Sequence, residues 1–167
     1  MWSPWRSEHV RTFEARRRPV GEGSVFARIA AEPDRDEEHL VVWRGANVFA
    51  VMNLYPYNNG HLLLVPYREV AEYTALTAAE RHALADATDR ALRWLERALR
   101  PDGFNVGMNL GAAGGAGIPE HLHVHVVPRW GGDTNFMPVV GDAKVVPEGL
   151  EATYRKLRAA VAAEADA

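Results

Sequence analysis

The residues with the clearest capacity for chemistry are three alternating histidines in the segment 121–128, which reads HLHVHVVP. Side chains of a β-strand alternate between its two faces. We therefore expect His121, His123 and His125 to project from one face, with the intervening apolar residues directed toward a core. Imidazole titrates near neutral pH and can act as a nucleophile, a proton donor or acceptor, or a metal ligand. This strand is the predicted reaction centre.

A structural role and a metal site are two interpretations of these histidines. A structural role is ordinary for a lone histidine, but crowding three on one face costs stability and gains no apolar packing. Three imidazoles would suffice for a catalytic zinc ion with water at the fourth position. However, the first and third would lie about 13 Å apart along a strand that rises roughly 3.3 Å per residue. A metal site would need a further ligand that the sequence does not mark.

The third interpretation is nucleophilic catalysis at phosphorus. A neutral imidazole nitrogen can attack a phosphate and form a covalent phosphoramidate, which divides one displacement into two easier steps. Neighbouring histidines can then bind phosphate oxygens and protonate the leaving group. The loop 111–117, with the sequence GAAGGAG, lies directly upstream and offers backbone N–H groups that few side chains obstruct. We favour this interpretation.

Composition restricts the class of protein. A chain of 167 residues with 47% hydrophobic content fits one domain with a sizeable core. It has no cysteine, which excludes disulfides and thiolate-rich zinc sites. The net charge of −3 disfavours a nucleic-acid partner. No apolar run reaches the roughly 18 residues of a membrane span and no signal-peptide pattern is visible, so we expect a cytoplasmic protein without a membrane partner.

The elements around the histidines are predicted to be mainly strands. A hairpin is expected over 40–53, with its turn near Gly45 and Asn47, and further strands over 61–66 and 105–110. Together with the histidine strand they indicate an α+β meander around one main helix.

Two helices are predicted. The main helix is expected to start at Thr77, because Thr77 and Glu80 have the spacing of a capping box, and to close at Pro101. Trp94 is predicted to lie at the edge of the apolar stripe of this helix. The other helix is expected near the C-terminus, from about 147 to 162.

The N-terminal segment differs from the rest of the chain. Residues 1–37 contain charged runs such as RRRP and EPDRDE, which are typical of solvated surface. We expect them to form an irregular segment with an N-terminal arm, followed by a single domain over 38–167.

Several segments become recognisable together with the histidine strand. They are 53–66 (NLYPYNNGHLLLVP), 103–111 (GFNVGMNLG) and 128–136 (PRWGGDTNF), beside the pattern His-φ-His-φ-His-φ-φ of 121–127. With them the chain resembles the histidine triad (HIT) superfamily of nucleotide hydrolases and transferases. Within it, the chain is similar to a bacterial subgroup of the fragile-histidine-triad branch, whose N-terminal arm resembles residues 2–6. The resemblance implies a five-stranded antiparallel sheet with one long helix and a C-terminal helix, in a homodimer whose sheets continue across the interface.

The resemblance also implies catalytic roles. His123 matches the nucleophile that takes the nucleotidyl group from the α-phosphate. His121 and His125 match the flanking histidines that contact phosphate and leaving-group oxygens. Asn109 matches the amide that orients the phosphate, although it could instead only satisfy backbone groups beside the glycine loop.

Five further residues match substrate-binding positions. Asn53 is implied to bind ribose and His61 to support the histidine cluster. Ala116 and Gly117 would hold a phosphate through their backbone N–H groups, and Trp130 would border the nucleotide or the partner subunit. The alternatives are a turn role for Asn53, a structural hydrogen bond for His61 and a packing role for Trp130.

The implied reaction is nucleotidyl transfer from a dinucleoside polyphosphate, with diadenosine tetraphosphate as the expected substrate. Inorganic phosphate as acceptor would make the protein a phosphorylase, which the resemblance of the loop 131–133 favours. Water as acceptor would make it a hydrolase, and a nucleotide-binding sensor without turnover is the alternative from another class. No resident cofactor or metal is expected, and a Mg²⁺ ion accompanying the polyphosphate is left open.

One departure from the subgroup's pattern concerns zinc. Many bacterial relatives carry a Cys-x-x-Cys pair in their N-terminal part that binds structural zinc. Ser24 and Ala27 stand at those positions in this chain, and neither is a useful zinc ligand. The segment is then expected to be held by packing through Phe26 and Ile29.

Overall fold

Five antiparallel strands form one sheet in the computed structural model, which describes residues 23–141 and 148–165. The strands are β1 (Val41–Arg44), β2 (Val48–Met52), β3 (Leu62–Pro66), β4 (Gly103–Met108) and β5 (Val124–Arg129). Their spatial order is β1-β2-β3-β5-β4, so β5 lies inside the sheet, between β3 and β4. The predicted five-stranded antiparallel sheet is confirmed.

The described α-helices are α1 (Val25–Ala31), α2 (Ala78–Leu99), α3 (Met137–Val140) and α4 (Leu150–Ala165). The predicted main helix is α2, and the predicted C-terminal helix is α4. No helix among the described residues is long and apolar enough to cross a membrane.

The helix α1 lies within residues 1–37, where only irregular structure is predicted, and that prediction is wrong for α1. A helix of 7 residues is too short to be stable through intrinsic propensity. Phe26 and Ile29 hold it by packing on the sheet, which confirms the role expected for them. Residues 1–22, which include the predicted arm, lie outside the described residues, and the domain boundary at residue 38 stays a prediction.

Both faces of the sheet are covered at its centre, where β2 and β3 are buried along their whole length. One face forms the main core with α2 and α4. The opposite face packs on α1 through a smaller cluster that includes Phe49, Val51 and Leu63. Leu63 is paired directly with His125 of β5, so the histidines lie on the α1 side of the sheet.

The capping box predicted for α2 is present. Thr77 Oγ1 accepts a hydrogen bond from the Glu80 N–H at 3.2 Å, and the Glu80 carboxylate accepts one from the Thr77 N–H at 2.8 Å. Arg100 closes the helix in the left-handed conformation, directly before Pro101. Local sequence signals therefore predict both ends of α2 well.

Trp94 is placed more deeply than its position at the edge of the apolar stripe predicts. It is 1% exposed, contacts Trp43, and donates a hydrogen bond from Nε1 to the Glu164 carboxylate at 2.6 Å. Glu164 belongs to α4, which packs on α2 beside the sheet. The buried face of α2 is wider than the stripe because two elements cover it.

Candidate active site

The three histidines alternate with core residues around the start of β5. The intervening Leu122, Val124 and Val126 are buried on the α2 side, so the imidazoles face the other way, as predicted. The strand begins only at Val124, and the first two histidines lie on the extended segment that leads into it rather than within it. The exposed fraction rises along the segment from 0% for the first histidine to 9% for the third.

His123 presents one ring nitrogen as a base. Its Nδ1 lies 2.9 Å from the carbonyl oxygen of His121, which can only accept, so Nδ1 carries the proton. Nε2 therefore keeps its lone pair, and no described residue hydrogen-bonds to it. Burial lowers the pKa of His123 and so favours the neutral ring. A neutral imidazole with an available lone pair is the nucleophilic form.

The rings of His61 and His125 are hydrogen-bonded to each other, and their protons can also be assigned from their partners. The Tyr57 N–H donates to His61 Nδ1 at 3.1 Å, so the proton of neutral His61 lies on Nε2. His61 Nε2 then donates to His125 Nδ1 at 2.9 Å, which leaves the proton of neutral His125 on its Nε2. Burial, together with the neighbouring imidazoles, lowers the pKa of His61 to about 2, and His61 is therefore a neutral donor.

Asn109 lies at the other side of His125, just after β4. Its amide nitrogen is placed 3.4 Å from His125 Nε2. Because that nitrogen carries a proton, the amide oxygen is the better partner, and the two ends of an amide occupy equivalent positions. A contact of this length is weak, so a substrate oxygen can replace it as the acceptor of the His125 proton.

The His121 ring is not placed to make the phosphate contact that the resemblance implies. Its ring is 0% exposed, Nδ1 lies 2.5 Å from Ser24 Oγ, and Nε2 lies 2.8 Å from the Pro66 carbonyl oxygen. Both nitrogens are thus bonded inside the protein, and neither is offered to a phosphate. Direct phosphate contact by the His121 ring is not supported, because the fold encloses it between α1 and β3.

The loop 111–117 turns tightly, as its glycines predict. Gly111 and Gly115 adopt φ values of 67° and 83°, which favour glycine. The Ala116 N–H donates to the Gly111 carbonyl at 3.2 Å, so this expected phosphate donor is engaged in the turn of the loop itself. At Gly117 the space that a side chain would fill is open, which permits close approach of a phosphate.

Asn53 follows β2 and forms a turn. Its Oδ1 accepts from the Tyr55 N–H at 3.0 Å, and its Nδ2 lies 3.3 Å from His61 Nδ1. These contacts support the turn role and show that Asn53 helps to orient His61. A ribose contact stays a prediction.

Trp130 follows the opposite end of β5 from the histidines. The extended chain from His125 to Trp130 spans about 16 Å, at roughly 3.3 Å per residue. Its Nε1 donates to the Arg100 carbonyl at 3.3 Å, and its N–H donates to the Asp133 carboxylate at 3.2 Å. Within one protomer Trp130 is therefore remote from the triad, and its contact with a nucleotide stays a prediction.

Two contributors to the site are absent from the sequence prediction. The Tyr57 ring stacks on His125 with the ring planes 17° apart and the centroids 5.5 Å apart, besides the bond from its N–H to His61. Its closeness to His61 in the chain is a signal that could have marked it. Ser24, in contrast, lies 97 residues from His121 and no sequence pattern connects the two.

A groove of about 240 Å³ opens beside His125. It is lined by Tyr57, Asn105, Val106, Gly107, Met108, Asn109, His125 and Val127. Gly107 stands directly opposite His125 in the strand pairing and adds no side chain to the floor of the groove. A group that accepts the proton of His125 can therefore lie there.

The described residues do not bring together the ligands of a metal site. No group of three His, Cys, Asp or Glu side chains among them is arranged to hold a metal ion. Ser24, at the first Cys-x-x-Cys position, uses its hydroxyl for His121 and for the Ala27 N–H, and Ala27 offers no side-chain donor. These residues do not fit a structural zinc ion.

Known proteins resemble this chain over most of its length. The model of the HIT domain matches residues 34–132. The AP-4-A phosphorylase of Mycobacterium tuberculosis is 48% identical over 158 residues, which are 94% of this chain and 81% of that protein. The chain belongs to the HIT family. The resemblance to this family that the sequence shows is confirmed. The same segments also predict a likeness to a mycobacterial diadenosine tetraphosphate phosphorylase, and the 48% identity confirms it.

Two further proteins resemble this chain at lower identity. The asymmetrical bis(5'-nucleosyl)-tetraphosphatase of Schizosaccharomyces pombe is 32% identical over 80 residues, which are 48% of this chain and 43% of that protein. A solved zinc-bound histidine triad protein from Mycobacterium smegmatis superposes with a TM-score of 0.70 at 26% identity, over 86% of this chain and 96% of that chain. The HIT fold is thus shared with a solved member of the family.

Proposed function

We propose that this HIT protein transfers a nucleotidyl group from diadenosine tetraphosphate to inorganic phosphate through a covalent intermediate on His123. The observation that carries the proposal is the bond from His123 Nδ1–H to the His121 carbonyl, which leaves Nε2 as the basic nitrogen of a buried imidazole. The identity of 48% to an AP-4-A phosphorylase supports the choice of substrate and acceptor.

In the first step His123 Nε2 attacks an α-phosphorus. The nitrogen–phosphorus bond forms, and the bond from that phosphorus to the bridging oxygen breaks. The Nε2–H of neutral His125 donates a hydrogen bond to the departing oxygen, which leaves as a phosphate oxyanion, while His61 keeps its hydrogen bond to His125 Nδ1. The products are adenylyl-His123 and ATP.

In the second step an oxygen of inorganic phosphate attacks the same phosphorus. The nitrogen–phosphorus bond breaks, its electron pair returns to His123 Nε2, and ADP leaves, while the His125 Nε2–H donates a hydrogen bond to the attacking oxygen. Water in place of phosphate would release AMP. The choice between these acceptors therefore determines the second product and leaves the first step unchanged.

The groups around the triad are proposed to hold the polyphosphate. Asn109, next to the His125 proton, orients the phosphate that is attacked. The Gly117 N–H binds its oxygens, and the Ala116 N–H joins it only if substrate displaces the Gly111 carbonyl. Asn53, half-buried beside His61, is the proposed ribose contact.

We also propose a homodimer that brings Trp130 to the site. The strand β4 ends the sheet, its outer edge pairs with no described strand, and Val106 on it is 48% exposed. A two-fold antiparallel pairing of two β4 strands would set the Gly103 end of one against the Met108 end of the other. Trp130 follows Arg129, which pairs with Gly103, so Trp130 of the partner subunit would approach the groove beside His125.

The test is product analysis of diadenosine tetraphosphate turnover with and without inorganic phosphate. ADP and ATP that appear only with phosphate would support phosphorolysis. AMP and ATP in phosphate-free buffer would identify a hydrolase. Nucleotide binding without turnover of any dinucleoside polyphosphate would identify a sensor, and it would refute the proposed reaction.

A further inference from the structure

Ser24 connects the start of α1 to the histidine segment. It is 2% exposed and caps the helix, since its Oγ accepts from the Ala27 N–H at 3.0 Å. The same Oγ lies 2.5 Å from His121 Nδ1, and the Ser24 N–H donates to the Glu69 carboxylate at 2.7 Å. Ser24 is thereby bonded to three separate parts of the chain.

The direction of the bond between Ser24 and His121 follows from their other partners. The Pro66 carbonyl can only accept, so His121 Nε2 carries a proton and donates at 2.8 Å. In the neutral ring Nδ1 is then an acceptor, and the Ser24 hydroxyl must donate to it. The hydroxyl oxygen meanwhile accepts from Ala27, so Ser24 can serve both partners at once.

His121 is in turn the residue that sets the protonation of the nucleophile. Its carbonyl oxygen accepts the His123 Nδ1 proton at 2.9 Å. Phe26, two residues after Ser24, packs edge-on against both rings, with centroid distances of 5.6 Å to His121 and 5.1 Å to His123. One short helix therefore holds the residue that orients the nucleophile and also contacts the nucleophile itself.

We propose that Ser24 is a positioning residue for the reaction at His123. Its hydroxyl holds the His121 ring in a single orientation and tautomer, and through the His121 backbone it holds the carbonyl that keeps the His123 proton on Nδ1. The kinetic part of this proposal rests on the proposed function. The arrangement of protons does not, because it can be observed without substrate.

Three variants separate this role from the capping of α1. Ser24→Ala removes both the cap and the donor to His121, and Ser24→Thr keeps a hydroxyl. Thr77→Ala is the matched control, because it removes the cap of a helix that is not bonded to a histidine of the triad. Unfolding in urea measures how much stability each variant loses.

The kinetic readout is kcat and KM for diadenosine tetraphosphate with phosphate. Ser24→Ala is expected to lower kcat about tenfold with KM within about twofold, the effect of one lost orienting hydrogen bond. Thr77→Ala should lose stability without this loss of kcat, and Ser24→Thr should recover most of kcat. A kcat that is unchanged in Ser24→Ala, or lowered as much by Thr77→Ala, would overturn the proposal.

The second readout is ¹⁵N NMR of histidine-labelled protein without substrate. The native protein is expected to show His121 protonated on Nε2 alone and His123 protonated on Nδ1 alone. In Ser24→Ala the His121 Nδ1 signal should shift, and the His123 signals should show a mixture of tautomers. Spectra of both rings that match the native ones would overturn the proposal.

If the chain turned over no polyphosphate, the proposed function would fail, and these spectra would still decide whether Ser24 sets the two tautomers.

Discussion

His61 can be replaced by two residues that each keep one of its hydrogen bonds. Asparagine places an amide oxygen near the position of Nδ1 and can still accept from the Tyr57 N–H. Glutamine places an amide nitrogen near the position of Nε2 and can still donate to His125 Nδ1. We expect His61→Asn to lower kcat more than His61→Gln, because only the donor to His125 keeps the proton on the other His125 nitrogen.

The size of the effect follows from the hydrogen bond that each variant removes. His61 is 1% exposed, and a buried donor or acceptor that loses its partner costs about 1–3 kcal/mol. His61→Gln removes the hydrogen bond from the Tyr57 N–H and His61→Asn removes the one to His125 Nδ1, so both variants should lose about 1–3 kcal/mol of unfolding free energy. In His61→Asn the active tautomer of His125 loses about the same 1–3 kcal/mol of stabilisation. This loss corresponds to about a 5- to 150-fold decrease in kcat. His61→Gln should stay within about fivefold of the native kcat.

The assay is chromatographic quantification of the nucleotide products over a range of substrate concentrations, with urea unfolding of both variants beside it. Similar losses of stability make the two kinetic results directly comparable. Equal losses of kcat would refute the role of His61 as the donor to His125. A larger loss in His61→Gln would place the two protons on the opposite nitrogens.

Three further outcomes are expected. His123→Asn should lower kcat by about 10⁴-fold or more, because it removes the proposed covalent nucleophile, and near-native activity would rule out a nucleotidyl-histidine. Lowering the pH from 7 to 5 should cost about 2 kcal/mol of stability through His61 alone, since its pKa is about 2 in the fold and near the ordinary 6.5 when unfolded. Because burial depresses this pKa, the stability that neutral His61 contributes is fully present above about pH 6.5 and is lost as the pH falls. Equal urea midpoints at pH 7 and pH 5 would contradict this expectation. Val106→Lys should convert a dimer to a monomer in size-exclusion chromatography, whereas Val140→Lys, at an exposed valine on α3 and not on β4, should not. A dimer that persists in Val106→Lys would exclude pairing through β4.

Local patterns predict much of the fold. The alternation of residues 121–126 is a property of extended backbone, so it places the histidines and the core residues on opposite faces without reference to the rest of the chain. The capping box at Thr77 and Glu80 is likewise local, and it predicts the start of α2. These features hold because each depends only on residues a few positions apart.

Other features depend on packing and are predicted poorly. The helix α1 has 7 residues and forms because Phe26 and Ile29 are buried on the sheet, which no local propensity shows. Trp94 joins the core because α4 covers it, and the spacing along α2 cannot report a second packing partner. The resemblance assigns a phosphate contact to His121, but the enclosure of its ring between Ser24 and Pro66 becomes visible only in the folded chain.

The sequence by itself determined that three imidazoles would share one face of the chain beside a glycine-rich loop, and among three interpretations it favoured the chemistry of histidine at a phosphate. Only the tertiary structure decided which nitrogen of each ring carries the proton. That choice depends on the partner at the other nitrogen, and most of those partners lie far away in the chain: Pro66 and Ser24 are 55 and 97 residues from His121, and His61 is 64 residues from His125. An imidazole is nucleophile or acid according to its hydrogen-bond partners. Strand geometry therefore brings the histidines together, and long-range contacts make them unequal.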